Sequence, residues 1–174
     1  MSRAPALRRG FERVLTAFVV FLLGAIAVLV LAGVGLRKLG VPLVWYDEGA
    51  SILLAWLTYY GAALAALKRA HIGFPGLVNA LAPRARVAVV WIAEIAVLAF
   101  FALLTVYGVE VLRILAGDTM VSLPVPTALT QSVIPVGGAL FIVAQLLSFP
   151  GVLRQARGAG VADPELAPAL EGRR

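Results

Sequence analysis

VLTAFVVFLLGAIAVLVLAGVGL (residues 14–36) carries no charge and is closed by Arg13 on one side and Arg37 on the other. A hydrocarbon layer about 30 Å thick is crossed by about 20 helical residues rising about 1.5 Å each. The run therefore predicts a transmembrane helix. Three further stretches repeat the pattern: residues 49–67, between Asp47-Glu48 and Lys68-Arg69; residues 87–109, interrupted only by Glu94; and a part of the uncharged stretch 119–153. That last stretch is too long for one span, and its prolines divide it. Pro124 and Pro126 suit an irregular entry and a first helical turn. The fourth helix is then expected over 127–149, kinked at Pro135 and ended by Pro150-Gly151. Residues 119–125 are left as an interfacial or re-entrant approach.

Composition agrees with this pattern. Of 174 residues, 61% are hydrophobic and 14% charged, with a mean hydropathy of +0.97. A soluble domain of this size is about half apolar and a quarter charged, so lipid must be part of the solvent. The expected architecture is an all-α integral membrane protein. Residues 1–153 form one four-helix membrane domain with short loops (spans 14–36, 49–67, 87–109 and 127–149), and residues 154–174 a flexible tail. The first span follows Arg8, Arg9 and Arg13, as a signal peptide would, but it exceeds the roughly 7–15 apolar residues of a cleaved signal. It is expected to remain as a helix.

The net charge of +6 follows the topology and does not call for nucleic acid. Arg3, Arg8, Arg9 and Arg13 precede span one; Lys68, Arg69, Arg84 and Arg86 lie between spans two and three; Arg154, Arg157, Arg173 and Arg174 follow span four. These are twelve of the 15 lysines and arginines; Arg37, Lys38 and Arg113 occupy the other two connections. Basic residues mark cytoplasmic segments, so both termini are expected in the cytoplasm.

Little in the chain can carry redox or metal chemistry. There is no cysteine and a single histidine, His71, which leaves no thiolate set and no bis-histidine haem site. No cofactor is expected, and His71 reads as a polar interfacial anchor at the end of span two. A quinone pocket of apolar residues stays open. Glu94 is the one carboxylate well inside a span, and two roles are open to it. It could be a proton or substrate site, as in small four-helix exporters. The other reading is a carboxylate near the cytoplasmic end, solvated or paired with Arg86 or another subunit. Gln145 could bond across helices in span four. Gly24, Ala25 and Ala27 in span one, and Gly61, Ala62, Ala63, Ala65 and Ala66 in span two, permit close helix approach within the bundle or against a partner.

The string Val41-Pro42-Leu43-Val44-Trp45-Tyr46-Asp47-Glu48 is the most distinctive. Aromatics at an interface and acids at a helix start each have a simple physical reason, but those reasons do not account for the whole string. It continues through Trp56-Leu57-Thr58, Gly61-Ala62-Ala63, Lys68-Arg69 and His71-Ile72, and span four carries Ile134-Pro135-Val136-Gly137. In order and spacing these elements resemble the small membrane subunit, DctQ-type, of the tripartite ATP-independent periplasmic (TRAP) transporters. Two positions depart from that pattern. Gly73-Phe74-Pro75 stands where a valine and an aspartate usually follow His-Ile, and the acidic pair is Asp-Glu in place of Glu-Glu.

The resemblance implies a scaffold subunit in a bacterial inner membrane, and no enzyme. Its partners would be a large multi-span permease subunit, which holds the substrate and ion sites, and a periplasmic binding protein that delivers an organic acid. Uptake would be driven by ion gradients. By the same resemblance, Trp45, Asp47 and Glu48 at the outer edge, with Trp56 and Gly61 along span two, are candidates for the partner interface. The competing expectation is a self-sufficient homodimeric exporter built around Glu94.

Overall fold

The computed structural model describes residues 4–68 and 80–158. Its elements are α1 (Ala4–Lys38), α2 (Tyr46–Lys68), α3 (Pro83–Ile114), a 3-10 turn (Leu115–Gly117), α4 (Thr127–Gln131) and α5 (Val133–Arg157). Among the described residues, four helical stretches are long and apolar enough to cross a membrane, α4 and α5 together making the fourth. His71, with the rest of residues 69–79, lies outside the described residues, as do residues 1–3 and 159–174.

The helix ends follow local chemistry. Gly40, at φ 79°, ends α1. Val41 N–H donates to Leu36 O at 3.0 Å and Gly40 N–H to Arg37 O at 3.2 Å, the paired bonds of a glycine-terminated helix. Asp47 and Glu48 occupy the first turn of α2, where the helix dipole favours negative charge. Pro83 starts α3, where its missing N–H costs nothing.

The fourth span departs from expectation at three points. It begins at Thr127 as expected, but in place of a kink at Pro135 the helix breaks at Ser132 and restarts. Pro135 then falls in the first turn of α5, where no intrahelical donor is required. The helix also does not end at Pro150: it continues to Arg157. A proline is tolerated inside a membrane helix when neighbouring groups meet the freed carbonyls, and Arg154 and Arg157 favour the negative end of the dipole. The boundary expected between domain and tail at 153/154 therefore falls inside α5. Residues 118–127, finally, form a narrow hairpin that bonds to itself. Met120 N–H donates to Val125 O at 3.0 Å, and Thr127 N–H to Asp118 O at 2.9 Å.

The long helices pack in the order α1, α2, α5, α3. Thus α5 sits between α2 and α3, while α1 and α3 form the edges of an open row. Each seam uses small residues or stacked rings, as expected where lipid removes the hydrophobic drive between helices. Between α1 and α2, Phe18 meets Tyr60 edge-on at 4.6 Å, and Glu12 pairs with Lys68 at 3.6 Å. Ala63, Ala66 and Leu67 of α2 share a buried cluster with Leu15, Phe141 and Ala144. Gly137 lets α5 lie against Tyr59, whose Cβ would stand 2.7 Å from any added Cβ. Between α3 and α5, Phe101 stacks on Phe141 at 3.7 Å and Trp91 meets Phe149 at 4.7 Å. Such ring pairs contribute about 0.5–1.5 kcal/mol each beyond their buried area.

Candidate partner-docking site

The corner built from the α1–α2 connection and the 118–127 hairpin holds three of the candidate interface residues, Trp45, Asp47 and Glu48. Glu48 projects from the first turn of α2 onto the hairpin tip. Its Oε1 accepts from Val121 N–H at 3.0 Å, and its Oε2 accepts from Ser122 N–H at 2.9 Å and Leu123 N–H at 3.0 Å. Three successive amides thus converge on one carboxylate, an anion-binding backbone concavity filled by the protein's own side chain. The hairpin needs such an acceptor, because its tip amides have no ladder partner and Pro124 and Pro126 interrupt further pairing. Val121 itself is left 98% exposed.

Asp47 is exposed. The Trp45 ring lies beside Gly49 and borders an apolar groove with Leu29, Leu36 and Leu43. Gly33 accommodates the Tyr46 ring, and Arg37 stands 5.9 Å from the centre of that ring, a cation–π distance. The corner is consequently tied to both α1 and the hairpin.

Trp56 turns into the chain. Its Nε1–H donates to Thr130 O at 3.0 Å, in the turn just before the break at Ser132. A helix break leaves carbonyls without their usual donors, and the indole supplies one. Gly61, by contrast, has nothing within 4 Å of an added Cβ, so this position faces open space.

Glu94 and Gln145 are brought together across the α3–α5 seam. Glu94 is 7% exposed, and its Oε2 accepts from Gln145 Nε2 at 2.8 Å. The solvated carboxylate expected as one alternative is therefore replaced by a buried one. The two residues lie 51 positions apart, yet the sequence carries a signal of their pairing. Glu94 follows Arg86 by about 12 Å of helix, and Gln145 precedes Arg154 by about 13 Å. Two polar groups at matching depth in antiparallel spans are natural partners. The tip amides held by Glu48 left no such signal, because any backbone carries them.

Among the described residues, four long apolar helices in an open row, with intramembrane polar groups bonded to one another and a carboxylate clamping a connecting hairpin, define a polytopic membrane protein. Comparison with protein families gives the rest. The family described as Tripartite ATP-independent periplasmic transporters, DctQ component, matches residues 26–155, and the chain belongs to that family. It is accordingly a membrane component of a three-part transporter and not an enzyme. None of the curated proteins compared with the chain matches it.

Proposed function

We propose that this chain is the scaffold subunit that pairs with a large multi-span permease in a bacterial inner membrane, with both termini cytoplasmic. A periplasmic binding protein delivers an organic acid to that permease, and an ion gradient held there drives uptake. The observation that carries this is the family match over residues 26–155, which includes the second half of span one, all of spans two and three, and the fourth to within two residues of the end of its helix. The use of the polar groups supports it. Glu94 is engaged by Gln145, Trp56 by Thr130 and Glu48 by the hairpin, so these side chains hold helix and hairpin positions. A self-sufficient exporter would need its intramembrane carboxylate available to cargo.

Within this reading the five candidate interface residues divide by role. Trp45, Asp47 and Gly61 offer surface to the permease. Glu48 and Trp56 position that surface from behind, one through the hairpin and the other through the α4–α5 break. The twelve-to-three split of basic residues supports the orientation. Co-expression with the candidate permease and purification through a tag on that permease tests the proposal. A stable stoichiometric complex that transports an organic acid is expected. Recovery of this chain only as a homo-oligomer with transport of its own would overturn it.

A further inference from the structure

We propose that the depression between the Lys68 end of α2 and the facing turns of α1 binds the phosphate of an anionic phospholipid headgroup. Arg9, Glu12, Arg13, Thr16 and Ala17 of α1, with Lys68 of α2, line a hollow of about 490 Å³. That volume lies within the range of small-ligand sites. Three cations and one carboxylate give the lining a formal charge of +2. Glu12 meets Lys68 at 3.6 Å with both side chains well exposed, so this loose pair leaves the two arginines free to face an anion.

The position of the hollow selects the ligand. Arg13 immediately precedes the charge-free run 14–36, and Lys68 immediately follows the charge-free run 49–67. Both cations thus mark one boundary between polar and apolar layers, the depth at which lipid phosphates lie. Arg9, Arg13 and Thr16 or Ala17 recur on one face of α1 at successive turns. Below them the small Ala17 leads into the apolar run, giving acyl chains a surface that a soluble phosphate cannot use. Arg8 acts differently. Its Nη2 donates to Leu67 O at 3.1 Å, holding α1 to α2 and setting the width of the hollow. Retention of basic residues on one side of the membrane does not by itself require cations from two helices to converge on one depression.

Native mass spectrometry of the full chain in detergent, titrated with phosphatidylglycerol, phosphatidylethanolamine and soluble glycerol 3-phosphate, tests this. Phosphatidylglycerol adducts are expected to persist at collision energies that strip phosphatidylethanolamine, with glycerol 3-phosphate a poor competitor. Arg9→Gln with Arg13→Gln is expected to weaken phosphatidylglycerol binding on the order of 30-fold, from about a fivefold step per cation. Arg154→Gln with Arg157→Gln removes equal charge elsewhere and is expected to leave binding unchanged, with helicity by circular dichroism the same in both variants. Equal retention of the two lipids, or equal weakening by the two double variants, would overturn the site. Displacement of phosphatidylglycerol by equimolar glycerol 3-phosphate would overturn the lipid as its ligand.

Discussion

Gln145→Leu removes one donor from a buried carboxylate, and the cost can be worked from the geometry. The bond between Gln145 Nε2 and Glu94 Oε2 is 2.8 Å long, and Glu94 is 7% exposed. Hydrogen bonds between membrane helices contribute about 0.6 kcal/mol on average and up to about 1.7 kcal/mol. Removing one hydrogen-bond partner from a buried polar group costs about 1–3 kcal/mol. Each single leucine substitution, Gln145→Leu or Glu94→Leu, is therefore expected to destabilise the α3–α5 seam by about 1–3 kcal/mol. The double variant replaces both groups by apolar ones and is expected to lose less than the sum, by about 1–2 kcal/mol. Reversible unfolding in mixed micelles, followed by circular dichroism, gives the cycle directly. Effects that add to within about 0.5 kcal/mol would show that the pair does not couple the helices. Glu94→Gln keeps a hydrogen-bonding amide at the site and is expected to preserve uptake by the assembled transporter. Loss of uptake with unchanged stability would refute a structural role and make Glu94 a proton carrier.

Three further outcomes follow from the same contacts. Glu48→Ala removes the acceptor of three hairpin amides, so hydrogen exchange at Val121, Ser122 and Leu123 is expected to accelerate, whereas Asp47→Ala leaves those amides protected. Wild-type exchange in Glu48→Ala would show that the hairpin holds itself. Trp56→Phe deletes the bond to Thr130 O and is expected to cost about 0.5–1.5 kcal/mol, read as a lower unfolding midpoint in detergent. Gly137→Ala forces a Cβ against Tyr59 and is expected to destabilise by about 1–3 kcal/mol, while Gly61→Ala meets nothing and is expected to be neutral or stabilising by up to about 1 kcal/mol. Equal effects at the two glycines would refute the tight α2–α5 seam.

The fourth span shows where local pattern stops being sufficient. Its start at Thr127 was legible because Pro126 cannot continue backward into a helix. Its far end was not, since Pro150 terminates a helix in water but is tolerated where neighbouring groups replace the lost bond. Pro135 was legible as a disturbance, though not its form. A proline kinks a continuous helix or heads a new one according to whether the preceding carbonyls find other donors, and Trp56, far away in sequence, supplies one. The acidic pair was likewise recognised as distinctive while its use was hidden. Asp47 and Glu48 are chemically near-equal neighbours, and only the placement of the hairpin separates the exposed one from the clamped one.

By itself, the sequence determined the number and approximate positions of the membrane helices and the family. Charge-free runs of membrane-crossing length are a local property, and lipid allows a backbone few other solutions. The tertiary structure alone decided the order α1, α2, α5, α3, the Glu94–Gln145 pair and the Glu48 clamp. Nearly uniform apolar helices carry little periodicity to mark the face that packs, and in lipid apolar faces gain little from meeting one another. Their arrangement rests on close fits such as Gly137 on Tyr59 and on hydrogen bonds between residues 51 to 75 positions apart. Those fits exist only once the helices are side by side.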